Sequence, residues 1–323
     1  MRILVNCVLS TSAAAVLLSG CGGSQPPIGA PGAMSQSQTH SLAGARASSN
    51  VYVAYKGRTV VEFDASGREV AKTTTPGHPI DIVTDSHGNV YVLLGKRNHA
   101  TVLELSPDLQ HQIAQFPTPN VATRMTIDPD DNLYVDDSDY QTSYLYVLEY
   151  PYGSTKTSKT FSFGWVPGGP VLMGISVSGN YLYAGVNSVG GGTVTYLARC
   201  LLAGSGGCRF HGNVNPFDCG FTVTTESDDQ HDIAALSFGQ GFGLIRIFPR
   251  GYKNHGSIKP PAGYVFGCRL HGLEQFFWAI MRKLYCKGKA CAVAVEFDAT
   301  TGKIVRTVGD GHLSDPVAAY QAP

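Results

Sequence analysis

One short module, repeated along the chain, limits what this sequence can fold into more than any bulk property does. Residues 79–92, PIDIVTDSHGNVYV, alternate as a strand through Ile80, Ile82 and Val83 and reverse over Asp85, His87, Gly88 and Asn89. They resume as a strand at Val90, Tyr91 and Val92. Copies of that second strand begin at 51 (VYV), 90 (VYV), 133 (LYV), 182 (LYA), 233 (IAA) and 277 (FWA). A period of roughly forty to fifty residues signals stacked or radial repeats. A third strand follows each copy, plainest in VVEFDASGREV (60–70) and AVEFDATTGKIV (294–305), and more weakly from 102, 147, 194 and 245. Candidate fourth strands follow in turn, such as EVAKTTT and QIAQFPT.

The strand preceding each second strand is recognisable in PIDIVTD, ATRMTID, VLMGISV, FTVTTES and YVFGCRL, but the first repeat, entered at VYVAY, lacks one. DPVAAY (315–320) at the far end matches the start of the missing copy. The expected fold is therefore all-β: a six-bladed β-propeller of four-stranded blades, closed by the C-terminal strand joining the first blade so that few edges stay unpaired.

Composition agrees. The 323 residues include 38 Gly, 18 Pro and 16 Tyr, with short apolar runs between turn residues and no long amphipathic helical pattern. Twenty-four basic and 24 acidic side chains give zero net charge, so the electrostatic footprint of a nucleic-acid binder is missing.

The N-terminus reads as a separate segment. Arg2 precedes a mostly apolar run from Ile3 to Leu18, followed by Leu18-Ser19-Gly20-Cys21. This resembles a bacterial lipoprotein signal, which implies cleavage after residue 20 and lipid on Cys21. Residues 21–50, rich in Gly, Ser, Gln, Ala and Pro, then form a flexible tether reaching on the order of 30 Å. The expected organisation is a signal peptide over 1–20, lipidated Cys and tether over 21–50, and a propeller over 51–323. The expected address is the bacterial cell envelope, outside the cytoplasm, with membrane contact through the lipid only.

Pro79, Asp85, Gly88, Asn89, Tyr91 and Val92 in one repeat, and Asp128, Asn132, Tyr134, Val135 and Asp136 in the next, follow a P-x-G-[IV]-A-V-D-x-x-G-N-[IVL]-Y-V pattern. In these residues the chain resembles the NHL-repeat family, which implies a propeller and leaves function open.

Apart from Cys7 and Cys21, six cysteines lie between 200 and 291. In an exported chain an even set points to disulfides. Cys286 and Cys291 flank KGKA, and Cys200 and Cys208 flank LLAGSGG, leaving Cys219 with Cys268. The competing reading, a metal site, lacks both C-x-x-C spacing and a tight Cys/His cluster.

Propellers bind ligands at the axial funnel, near the loops entering the innermost strands. Those loops carry His78, Asn120, Asp218 and Asp315, with His312 nearby, and such a ring suits a divalent cation. The alternative is that Asn and Asp cap turns there. Asp81 and Arg124 share a repeat position on adjacent innermost strands, where a salt bridge is the simpler reading and anion binding by Arg124 the functional one. Glu62, Glu104, Glu149 and Glu296 recur in the third strand and are expected on outward, solvated faces.

A more distant resemblance links PNVA (119–122) and DPVAA (315–319) to gluconolactonase-type propellers, which hold a metal with Glu, Asn and Asp; the opening Glu and Trp and the Asp after Asn120 are missing here. No G-x-S-x-G, H-E-x-x-H or phosphate-binding glycine loop occurs. The reading is thus an envelope binding module for a protein or glycan, with a metal-assisted, lactonase-like hydrolase as the alternative.

Overall fold

In the computed structural model the described residues are 50–95, 99–139, 142–165, 170–188, 194–204, 207–214, 220–225, 232–238, 241–248, 251–259, 264–273, 276–283, 292–309 and 316–321. The chain divides into units Met1–Leu42 and Ala43–Pro323, and every described residue lies in the second.

That unit is a β-propeller of four-stranded antiparallel blades. Blade 1 contains β1 (Val51–Tyr55), β2 (Thr59–Phe63) and β3 (Glu69–Thr74). Blade 2 follows as β4 (His78–Thr84), β5 (Val90–Gly95), β6 (Ala100–Leu105) and β7 (Gln112–Pro117). Blade 3 is β8 (Met125–Ile127), β9 (Leu133–Asp139), β10 (Tyr144–Tyr150) and β11 (Lys159–Trp165). Blade 4 is β12 (Pro170–Ser178), β13 (Tyr181–Ser188), β14 (Val194–Leu201) and β15 (Arg209–Val214). Blade 5 is β16 (Gly220–Thr225), β17 (Asp232–Phe238), β18 (Gly241–Phe248) and β19 (Gly251–Ile258). Blade 6 is β20 (Tyr264–Leu273), β21 (Phe276–Lys283), β22 (Ala292–Asp298) and β23 (Ile304–Val308). β24 (Pro316–Gln321) then returns to blade 1, giving six four-stranded sheets in all.

The return is in register: Val53 lies opposite Ala319 and Tyr52 opposite Tyr320. β24 also meets blade 2, where the buried Thr84 hydroxyl donates to the Gln321 carbonyl at 3.2 Å. The leading strands β24, β4, β8, β12, β16 and β20 touch in that sequence and β20 touches β24, so they line one axis.

Blades stack face to face, and their middle strands are therefore buried on both sides. β5 and β6 are buried almost throughout, whereas the outer strands β3, β7 and β23 are mostly exposed. Between blades 2 and 3, Val92, Leu103, Met125, Leu133 and Val135 share one apolar cluster. Each such side chain contributes about 1.5–3 kcal/mol by leaving water.

The repeated turn has one chemistry. Asp85 Oδ1 accepts the amides of His87 and Asn89, at 2.9 and 2.8 Å, and Asn89 Nδ2 donates to Oδ2 at 2.8 Å. Gly88 completes the turn at φ +81°, a conformation that favours glycine. Asp128 repeats the pattern, accepting the amides of Asp130 and Asn132 and the Asn132 side chain.

The third-strand glutamates correct the expectation of solvated faces. Glu62, Glu104 and Glu296 are buried, because each lies directly across from the repeat's aromatic residue: Tyr52, Tyr91 and Trp278. Tyr91 donates to Glu104 at 3.2 Å, Tyr134 donates to the half-buried Glu149 at 3.4 Å, and Arg306 pairs with Glu296 at 2.9 Å. Burial raises both the Tyr91 hydroxyl and the Glu104 carboxyl above their ordinary values, which leaves the phenol as the proton donor.

Candidate functional site

The axis is where the sequence placed a ligand, and its polar groups converge there. Asp81, on β4, has no exposed surface. One oxygen lies 2.6 Å from Nε2 of His271 on β20, and the other accepts the Met125 amide of blade 3 at 2.8 Å. The His271 ring meets Tyr320 of β24 edge-on, with centroids 5.5 Å apart. One carboxylate thus links blades 2, 3 and 6 around the closing strand.

Arg124 takes a different partner from the Asp81 expected of it. Its Nε donates to the Met173 carbonyl of blade 4 at 2.8 Å, and an Nη donates to the Thr123 carbonyl at 2.9 Å. Beside it Asp136, fully buried, accepts the Arg124 amide at 2.8 Å and the Thr123 amide and hydroxyl. Those bonds occupy the amides that would extend the ladder, so the leading strand expected from Ala122 begins only at Met125. Burial raises the Asp136 carboxyl to about 6, against the pull of the neighbouring amides and the Arg124 charge.

The circuit continues through blades 4 to 6. Ser176 donates to the Val223 carbonyl of β16 at 2.9 Å. Gly272 of β20 passes so near that a Cβ there would sit 2.3 Å from the same carbonyl oxygen. Only glycine fits such a backbone approach.

The other predicted residues are spent on structure or lie elsewhere. The Asn120 amide and Nδ2 donate to the two oxygens of Asp137 at 2.8 and 2.9 Å, which makes Asn120 the cap of its turn. His78 is exposed, with Nδ1 3.1 Å from the Lys56 carbonyl. Asp218, Asp315, His312 and Cys21 lie outside the described residues, as do Cys219, Cys286 and Cys291, while Cys268 is described by its backbone alone. Cys200 and Cys208 form the expected disulfide. Among the described residues no three His, Cys, Asp or Glu side chains converge as a metal site requires.

Sequence reasoning missed His271, Asp136 and a contact among Ser86, His87 and Asp131. His271 had a visible signal, a histidine where other leading strands are apolar. Ser86 Oγ donates to Asp131 at 2.5 Å, and His87 Nδ1 lies 3.3 Å from both Asp131 and Ser86. The same imidazole nitrogen faces both partners, whereas a nucleophilic triad needs serine on one ring nitrogen and the acid on the other. His87 instead stacks on Tyr152, ring centroids 5.1 Å apart, joining the turns of blades 2 and 3.

No family model matches the sequence, and no curated protein is detectably similar to it. Solved structures do match. A protein of unknown function from Bacteroides caccae superposes with a TM-score of 0.60 at 11% identity, covering 85% of this chain and 99% of its own. A chain of a nidogen/laminin complex gives 0.55 at 10%, covering 85% and 98%. The periplasmic gluconolactonase of Pseudomonas aeruginosa gives 0.49 at 16%, covering 82% and 84%, and nothing is argued from it. At these identities the likeness is one of architecture, and by that measure the chain is a β-propeller.

Proposed function

We propose that this chain is an envelope-anchored lipoprotein whose propeller, built of NHL-like repeats, binds a protein or glycan partner. The observation that carries the reading is the saturated axis. Asp81, Arg124 and Asn120, the polar residues expected to serve a substrate or cation, are each engaged by neighbouring blades or by their own turn. Withdrawing them for catalysis would break bonds that hold the blades together. The nidogen/laminin neighbour supports the use of such a scaffold in protein binding. Leu18-Ser19-Gly20-Cys21 and the Gly/Ser/Pro-rich tether support anchorage at a distance from the membrane.

Two measurements test this reading. Lipid labelling of the full chain in a bacterial host should be lost on Cys21→Ser; retained labelling would refute the anchor. Equilibrium dialysis of the purified chain against calcium and zinc should leave it without stoichiometric metal. A one-to-one metal lost on Asn120→Ala would overturn the binder in favour of the metal-assisted hydrolase.

A further inference from the structure

Blade 4 inverts a charge pattern that four blades share. Opposite the second-strand aromatic stand Glu62, Glu104, Glu149 and Glu296 in blades 1, 2, 3 and 6, but blade 4 sets Arg199 opposite Tyr183. Blade 5 also carries arginine at that position, Arg246. On the outer side, blade 3 sets Lys159 against Glu149 and blade 6 sets Arg306 against Glu296, both opposite charges. Blade 4 sets Arg209 against Arg199. Like charges directly across an antiparallel pair disfavour folding, so this pair is an electrostatic liability to the free chain.

The two arginines line a cavity of about 340 Å³ with Tyr181, Leu201, Gly204 and Gly207. That volume lies in the range of small-molecule sites. The Arg199 guanidinium sits 4.3 Å from the centroid of the Tyr181 ring, which holds its plane in place. Gly204 and Gly207 belong to the turn closed by the Cys200–Cys208 disulfide, so the wall facing the arginines is tied down and carries no side chains. Leu201, 46% exposed, adds an apolar flank, and no carboxylate is among the described lining residues.

We infer that this cavity on the flank of blade 4 binds a carboxylated saccharide of the uronic-acid class. The guanidinium forks match the two oxygens of a carboxylate, and the apolar flank matches the C–H face of a sugar ring. A singly charged carboxylate is less costly to bring against Leu201 and Tyr181 than a phosphate. The inference extends the glycan side of the proposed function. The site is separate from the axis, so its failure would leave protein binding standing.

The experiment is titration calorimetry of the full chain at low salt with glucuronate, glucose and inorganic phosphate. Glucuronate should bind saturably at one site, glucose should not bind, and phosphate should bind at least tenfold more weakly. Arg209→Gln, on an exposed outer-strand position, should weaken glucuronate at least tenfold with an unchanged melting temperature, and Arg199→Gln should do likewise. If Arg199→Gln fails to fold, Arg209→Gln alone decides. Absent glucuronate binding, equal affinity for phosphate, or an unaffected Arg209→Gln variant would each overturn the site.

Discussion

Asp81 and His271 meet at 2.6 Å although 190 residues separate them, and the strand between them in space is the last one of the chain. The pair therefore forms only when the ring is complete. Removing its acid should be felt throughout the fold. Asp81→Ala leaves a buried imidazole and the Met125 amide without their acceptor, and a loss of about 3–5 kcal/mol is expected. Asp81→Asn keeps an acceptor for the amide and should lose less. Urea midpoints of the two variants provide the check, and equal losses would count against the pair.

Closure itself is separately testable. Deleting residues 314–323 removes β24 and exposes the whole edge of β1, so the thermal midpoint should fall sharply. An unchanged midpoint in calorimetry would show that the seam adds nothing.

Gly272 gives a steric test at the axis. A methyl group there meets the Val223 carbonyl oxygen at 2.3 Å, backbone that cannot rotate away. Gly272→Ala should destabilise by about 1–3 kcal/mol. An alanine variant as stable as the parent would mean that β16 and β20 can separate freely.

Asp136 gives a pH signature. Its folded-state pKa, raised to about 6 by burial, lies above the ordinary aspartate value of about 3.9. The folded chain thus binds the proton more tightly than the unfolded chain, and the contribution is complete below about pH 4 and disappears as pH rises through about 6. Relative to Asp136→Asn, the parent should lose about 3 kcal/mol between pH 4 and 7. Parallel stability profiles of the two proteins would contradict this assignment.

The Cys200–Cys208 bridge closes a short loop at the edge of the proposed saccharide site. By loop-closure entropy it should stabilise by roughly 2–3 kcal/mol, so Cys200→Ser with Cys208→Ser should lower the urea midpoint accordingly. The same double variant should weaken glucuronate binding, because the glycine wall is no longer tied.

Much of the fold was legible because a strand repeat is a local signal. Alternation around Ile82 and Val92, a turn at Asp85–Asn89 and a matching fragment at Val317–Tyr320 are written in neighbouring residues, and so is the spacing of Cys200 and Cys208. The partners of the polar residues were not legible. Asp81 looked like a mate for Arg124 because the two share a repeat position, but the bend of each leading strand aims Asp81 across the seam to His271 and turns Arg124 toward a carbonyl of blade 4. Glu104 looked solvated because its strand is third from the axis, yet blade stacking buries both faces and sets it against Tyr91. Local periodicity alone determined the β modules and their number. Which charge meets which was decided by the ring, because contacts between residues so distant in sequence exist only after the last strand has joined the first blade.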